Sequence, residues 1–172
     1  MECIEILKAR LTSSNTLYVQ SEDGCYGESG FIWNIPATRE EISNFEKTNN
    51  IVLPEGYKKF LEISNGAILF KDVEYGQWGC NILGLSELKN INEDIKSWGY
   101  KLKESWMVFA TWLGDTDILI FDLNKLEKEN RDYILIGEPT YSSDEWSYIK
   151  GDFLKWLDRL IVAQGAKYWT WY

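Results

Sequence analysis

The sequence predicts an α+β fold: a single domain, residues 1–172, in which helices pack against a largely antiparallel β-sheet. Three observations predict it. Apolar residues recur at helical spacing in five stretches, while the closing half contains segments that switch to alternate spacing. The length of 172 residues suits one domain, and neither a repeat nor a linker divides it. Hydrophobic residues make up 45%, with nine Trp, ten Tyr, seven Phe and only three Pro, a composition that supplies a core and is the opposite of a disordered chain.

Residues 2–11 place Ile4, Leu7 and Leu11 on one helical stripe, before a Ser/Asn/Gly-containing connection. A short strand is expected at 17–20. Phe31, Ile32 and Trp33 lead to Pro36, whose ring disfavours a helical residue at Ile35, so the chain reaches Ala37 extended. Thr38-Arg39-Glu40-Glu41 is a capping box, and it opens a helix with Ile42 and Phe45 inward that ends near Asn49-Asn50. Pro54 suits a first helical position and starts a second helix bearing Tyr57, Phe60, Leu61 and Ser64. Asn65-Gly66 tolerates left-handed backbone and turns the chain into a strand at 67–70.

Another strand is expected at 80–83, then a helix capped by Ser86 and running to about Trp98, with Leu88, Ile91 and Ile95 inward. Residues 106–113 and 117–123 read as a hairpin joined by Gly114-Asp115-Thr116, and 133–137 as a further strand. Residues 148–162 carry Phe153, Leu154, Trp156, Leu157, Leu160 and Ile161 at helical spacing, so a C-terminal helix covers the sheet. The aromatic tail beyond Gly165 is expected to pack back on its own domain.

The chain contains no histidine, which removes the commonest general base and metal ligand and every Ser-His or Cys-His arrangement. Cys3, Cys25 and Cys80 lack CxxC spacing and are odd in number, as expected of reduced thiols in a cytoplasmic protein rather than a disulfide framework or a zinc site. No secretion signal opens the chain and no apolar run approaches the roughly 20 residues of a membrane span. Phosphate-loop, dinucleotide and nucleophile-elbow motifs are absent, so no cofactor is expected. A net charge of −9 repels nucleic acid and anionic membranes and attracts basic partners.

Lys and Arg are absent between Arg10 and Arg39, Lys71 and Lys89, Lys103 and Lys125, and Arg131 and Lys150. These intervals hold Glu22, Asp23 and Glu28; Asp72, Glu74 and Glu87; Glu104, Asp115, Asp117 and Asp122; and Asp132, Glu138, Asp144 and Glu145, leaving the rest of the chain net positive. Acids and bases are therefore expected on different faces. Trp33, Trp78, Trp106, Trp112 and Trp146 share those intervals, and aromatic anchors rimmed by charge are a common build for protein interfaces. Asp115, Asp117 and Asp122 have the only spacing suggestive of a cation site, although a hairpin turn favours Asp for backbone reasons alone.

Residues 37–67, with Thr38, Glu41, Glu46, Leu53-Pro54, Tyr57, Phe60-Leu61 and Asn65-Gly66 in order, resemble the signature of the SUKH superfamily, the Smi/Knr-like group. Phe109, Gly114-Asp115 and Phe121-Asp122 resemble its later strand-turn-strand block. The resemblance implies the α+β fold reached above and a non-enzymatic role. Bacterial relatives of this kind act as immunity proteins that neutralise polymorphic toxins, often nucleases, and fungal and animal relatives as interaction modules. The expected function is toxin neutralisation through an acidic, aromatic surface, with a regulatory adaptor as the alternative. Glu22, Asp23, Glu28, Asp72, Glu74, Trp78, Asp115 and Asp117 are the expected contact residues, because they combine basic-free surroundings with loop positions.

Overall fold

Eight strands form one antiparallel sheet in which each strand lies beside its neighbour in sequence. The computed structural model describes residues 1–20, 24–97, 102–138 and 141–171, the side chain of Lys96 excepted. The strands are β1 (Thr16–Gln20), β2 (Tyr26–Trp33), β3 (Ala67–Asp72), β4 (Cys80–Ile82), β5 (Trp106–Trp112), β6 (Ile118–Asp122), β7 (Ile134–Gly137) and β8 (Tyr148–Ile149). Helix α1 (Glu2–Arg10) precedes them and α6 (Phe153–Val162) follows them. Between them come α2 (Arg39–Asn49), α3 (Glu55–Leu61), α4 (Leu85–Ser97) and α5 (Leu123–Glu127).

In such a meander the connections alternate between the two ends of the sheet. The connections β1–β2, β3–β4, β5–β6 and β7–β8 lie at the first end. The connections β2–β3, β4–β5 and β6–β7, which contain α2 to α5, lie at the second.

A single apolar core joins sheet and helices, centred on aromatic rings. Phe109 of β5 and Phe121 of β6 stack in parallel at 3.8 Å. Tyr57 of α3 and Phe153 of α6 meet both rings edge-on. The stripe of α6 works as its spacing predicts, since Phe153, Trp156, Leu157, Leu160 and Ile161 are all buried. Tyr168 and Trp169 of the tail, in a short 3-10 turn (Tyr168–Thr170), also pack against the core.

The recognisable residues of the 37–66 block have structural tasks. The Thr38 hydroxyl accepts from the Glu41 amide while the Glu41 carboxylate accepts from the Thr38 amide, and the latter bond holds the Glu41 carboxyl below its ordinary value. Asn50 closes α2 in the left-handed conformation. Glu46 reaches across to accept from the Leu53 amide, fixing the approach to Pro54, the N-cap of α3. The Tyr57 hydroxyl donates to the Leu83 carbonyl, and the Asn65 side-chain oxygen accepts from the Leu85 amide at the start of α4. Gly66 has φ +89°, and a Cβ there would lie 2.7 Å from the Gly84 nitrogen, so no other residue fits this crossing.

The structure also corrects two expectations and adds one helix. Ser86 does not cap α4: the helix begins at Leu85, and the Glu87 carboxylate accepts from the Gly84 amide. The apolar pattern at 148–162 contains two elements, because Gly151, at φ +110°, separates β8 from a helix that Asp152 caps through the Lys155 amide. Helix α5 has too short an apolar pattern to show in the sequence; the Asp122 carboxylate caps it by accepting from the Lys125 amide.

Strand β4 ends before β5 does, which would orphan the backbone of Val108. The Asn92 amide of α4 takes the place of the missing strand, accepting from the Val108 N–H at 2.9 Å and donating to its carbonyl at 3.1 Å. Asn92→Ala is expected to leave both groups unpaired against a buried strand and to lower stability by about 2 kcal/mol, readable as a lower urea midpoint with an unchanged m-value. Among the described residues, no helix is long and apolar enough to cross a membrane.

Candidate functional site

The meander gathers charge in a way that the linear order only hints at. In sequence, the four first-end connections hold Glu22, Asp23, Glu74, Asp115, Asp117, Glu138, Asp144 and Glu145, and no Lys or Arg. The three second-end connections carry eleven Lys and Arg against twelve Asp and Glu. In sequence, most of the net charge of −9 therefore falls in the connections of one end, where Lys167 of the tail offsets part of it. Bases are missing from the connections of one end while acids occur in those of both, because each basic-free interval spans a first-end hairpin.

Exposed aromatics stand at the same end. Tyr18 and Tyr26 stack at 5.5 Å across β1 and β2, with 59% and 71% of their surfaces exposed. Tyr75 and Trp78, in the β3–β4 connection, are 72% and 38% exposed. Single exposed rings are ordinary, but several beside one anionic end form the mixed surface on which partners dock.

The eight expected contact residues divide into groups. Glu22 and Asp23 lie outside the described residues. Glu28, paired opposite Tyr18, and Glu74 are exposed, and Trp78 stands at the rim. Asp72 organises its own loop: its carboxylate accepts from the Glu74 and Tyr75 amides, and its amide donates to the Trp78 carbonyl. Asp115 and Asp117 are engaged within the chain. Both accept from the Lys167 ammonium at 2.5 Å, and the Lys167 nitrogen also lies 5.4 Å from the Trp112 ring and 5.5 Å from that of Trp78. Lys167 is only 9% exposed.

The two loops beside this clamp press together. Gly114 has φ +74°, and a Cβ there would meet the Gln77 carbonyl oxygen at 2.0 Å. The β5–β6 turn and the β3–β4 connection thus form one rigid unit with the tail attached to it. Trp169 adds an edge-on contact to Trp112 at 5.4 Å.

Sequence reasoning passed over Tyr18, Tyr26, Tyr75, Glu138, Asp144 and Glu145 as contact residues. The signal for the last three was present in the fourth basic-free interval, but only the strand order brings that interval beside the other three. For Lys167 there was no signal, since an isolated base in an aromatic tail reads as solvent-facing.

Asp115, Asp117 and Asp122 do not converge on a cation. Asp122 caps α5 and accepts from the Tyr148 hydroxyl at 2.6 Å, while its two partners are spent on Lys167. Among the described residues, no cluster of His, Cys, Asp and Glu has the makings of a metal site. The Cys80 thiol is buried and pushed well above its usual value by desolvation, so it is a packed core group rather than a nucleophile.

The Lys167 hydrogen bond holds the Asp115 carboxyl below the usual carboxylate range. A depressed carboxyl contributes stability that is complete above its unfolded value of about 3.9 and is lost as pH falls through the folded value. The tail is accordingly expected to loosen in acid, below about pH 4, with a change in Trp fluorescence. Lys167→Met should remove that acid step.

A model of the SMI1 / KNR4 family (SUKH-1) matches residues 36–159. The uncharacterized protein YobM of Bacillus subtilis (strain 168) is 30% identical over 135 residues, which cover 78% of this chain and 71% of that protein. The uncharacterized protein YnaB of the same organism is 25% identical over 142 residues, covering 83% and 88%. The match takes in the capping box, the Tyr57 anchor, the Asn65-Gly66 crossing and the strands through β8, and with this fold it establishes that the chain belongs to the SMI1 / KNR4 family (SUKH-1).

Proposed function

We propose that this chain is a non-catalytic bacterial immunity protein that acts in the cytoplasm, using the acidic end of its sheet to dock a basic toxin domain and block it. The observation that carries the reading is the gathering of Glu74, Asp115, Asp117, Glu138, Asp144 and Glu145 at one end of the sheet, with no base among the described residues of those hairpin connections. Such a field steers a cationic partner toward one orientation, and the surrounding tyrosines and Trp78 supply contact area that slows its departure. A nuclease fits this chemistry, because a surface that grips phosphates is itself basic. Family membership is consistent with the role.

The test is co-expression with the variable C-terminal domain of the secreted toxin encoded beside this gene. Growth should be rescued by the wild-type chain, and the two proteins should co-purify. If no such neighbour exists and no toxin domain is neutralised, while a cellular protein co-purifies instead, the chain is a regulatory adaptor that uses the same surface.

A further inference from the structure

We propose that Trp78, Trp112, Asp115 and Asp117 form a cage for a primary ammonium group, filled in the resting chain by its own Lys167, and that a lysine of the basic partner takes its place. The cage rests on geometry alone, whereas the incoming lysine rests on the function proposed above.

The resident ammonium shows what the cage accepts. Two carboxylate oxygens lie at 2.5 Å from the Lys167 nitrogen, and two indole rings stand within 5.5 Å of it. Carboxylates supply opposite charge and indole faces supply cation–π attraction, together suiting a compact ammonium better than a planar guanidinium.

The occupant lies outside the regular elements of the fold. Lys167 lies beyond α6, between Gly165 at φ +87° and a single 3-10 turn, and no strand or helix contains it. Emptying the cage would leave two neighbouring carboxylates without a counter-ion, so the tail leaves readily only when another cation arrives. Trp78, one wall of the cage, belongs to the same β3–β4 connection as Glu74 and Tyr75, at the end toward which a basic partner is steered.

The test uses full-length Lys167→Ala, with n-butylammonium and Nα-acetyl-lysine methylamide as probes, followed by Trp fluorescence and thermal unfolding. Both probes are expected to bind saturably, at least about tenfold more tightly than to wild type, and to raise the melting temperature. Matched NaCl and Nα-acetyl-norleucine methylamide should do neither, and adding Asp117→Asn should abolish the response. A folded variant that shows no saturable response beyond NaCl, or that binds the norleucine analogue equally, overturns the cage. Should Lys167→Ala fold only with added n-butylammonium, the cage is supported; a variant that fails to fold with or without it overturns the claim.

For the exchange, hexalysine added to wild type at low salt should speed amide exchange across residues 167–171 several-fold. Saturable hexalysine binding with unchanged tail protection overturns displacement, as does absence of binding. Failure of toxin neutralisation, by contrast, leaves the cage result intact and removes only the identity of the partner.

Discussion

Tyr57→Ala is expected to lower the stability of the chain by about 4 kcal/mol, which for a domain of this size lowers the melting temperature by about 10 °C or more. Tyr57 is completely buried, and its ring touches Phe60, Phe109, Phe121 and Phe153, which come from α3, two central strands and α6. Truncation leaves a cavity at the one point where those elements meet. It also leaves the buried Leu83 carbonyl without the hydroxyl that donates to it. Tyr57→Phe separates the two contributions: the ring stays and only the hydrogen bond is lost, so a decrease of about 1 kcal/mol is expected. Urea unfolding of both variants checks the division, and equal effects would mean that the hydroxyl rather than the ring sustains the junction.

Neutralising four acids at the first end, Glu28→Gln, Glu74→Gln, Asp144→Asn and Glu145→Gln, is expected to slow association with the proposed toxin partner by about 10- to 100-fold at low salt. The same number of changes at exposed second-end positions, Glu40→Gln, Glu93→Gln, Asp94→Asn and Glu127→Gln, alters the net charge equally and should leave the rate within about threefold. Position, not total charge, decides the difference, because a partner feels the nearest charges across a screening length of about 8 Å at physiological salt. Raising salt should bring the wild-type rate down toward that of the first-end variant. Stopped-flow association rates measured across a salt series test this, and equal slowing by both sets would reduce the charge effect to a non-specific one. Since all eight positions are exposed, little change in stability is expected.

Much of the fold was legible because its signals are local. The Thr38–Glu41 box, the apolar stripe of α6 and the Asn65-Gly66 stop each act within a few residues, so sequence spacing alone reveals them. What escaped depended on distant partners. Asn92 reads as an ordinary polar helix residue until the short β4 exposes Val108 beside it. The pattern at 148–162 hid a two-residue strand, since Ile149 is buried by pairing with Ile134 rather than by helical periodicity.

The candidate site was legible as charge and illegible as geometry. Basic-free intervals marked segments that contain the first-end hairpins, but the alternation of connections between ends is a property of strand order, which spacing does not encode. Asp115 and Asp117 had every sequence mark of an exposed contact, yet a lysine fifty residues away occupies both. The 37–66 block, although the most recognisable part of the chain, builds the scaffold at the opposite end.

The most direct measurement is amide hydrogen exchange on the chain alone and in complex with the toxin domain proposed as its partner. Protection is expected at residues 26–28, 73–79 and 141–147, in the first-end connections and the strand beside them, with residues 34–66 unchanged. Protection confined to 34–66, with the first-end connections exchanging as they do in the free chain, would show that the acidic end is not the docking surface.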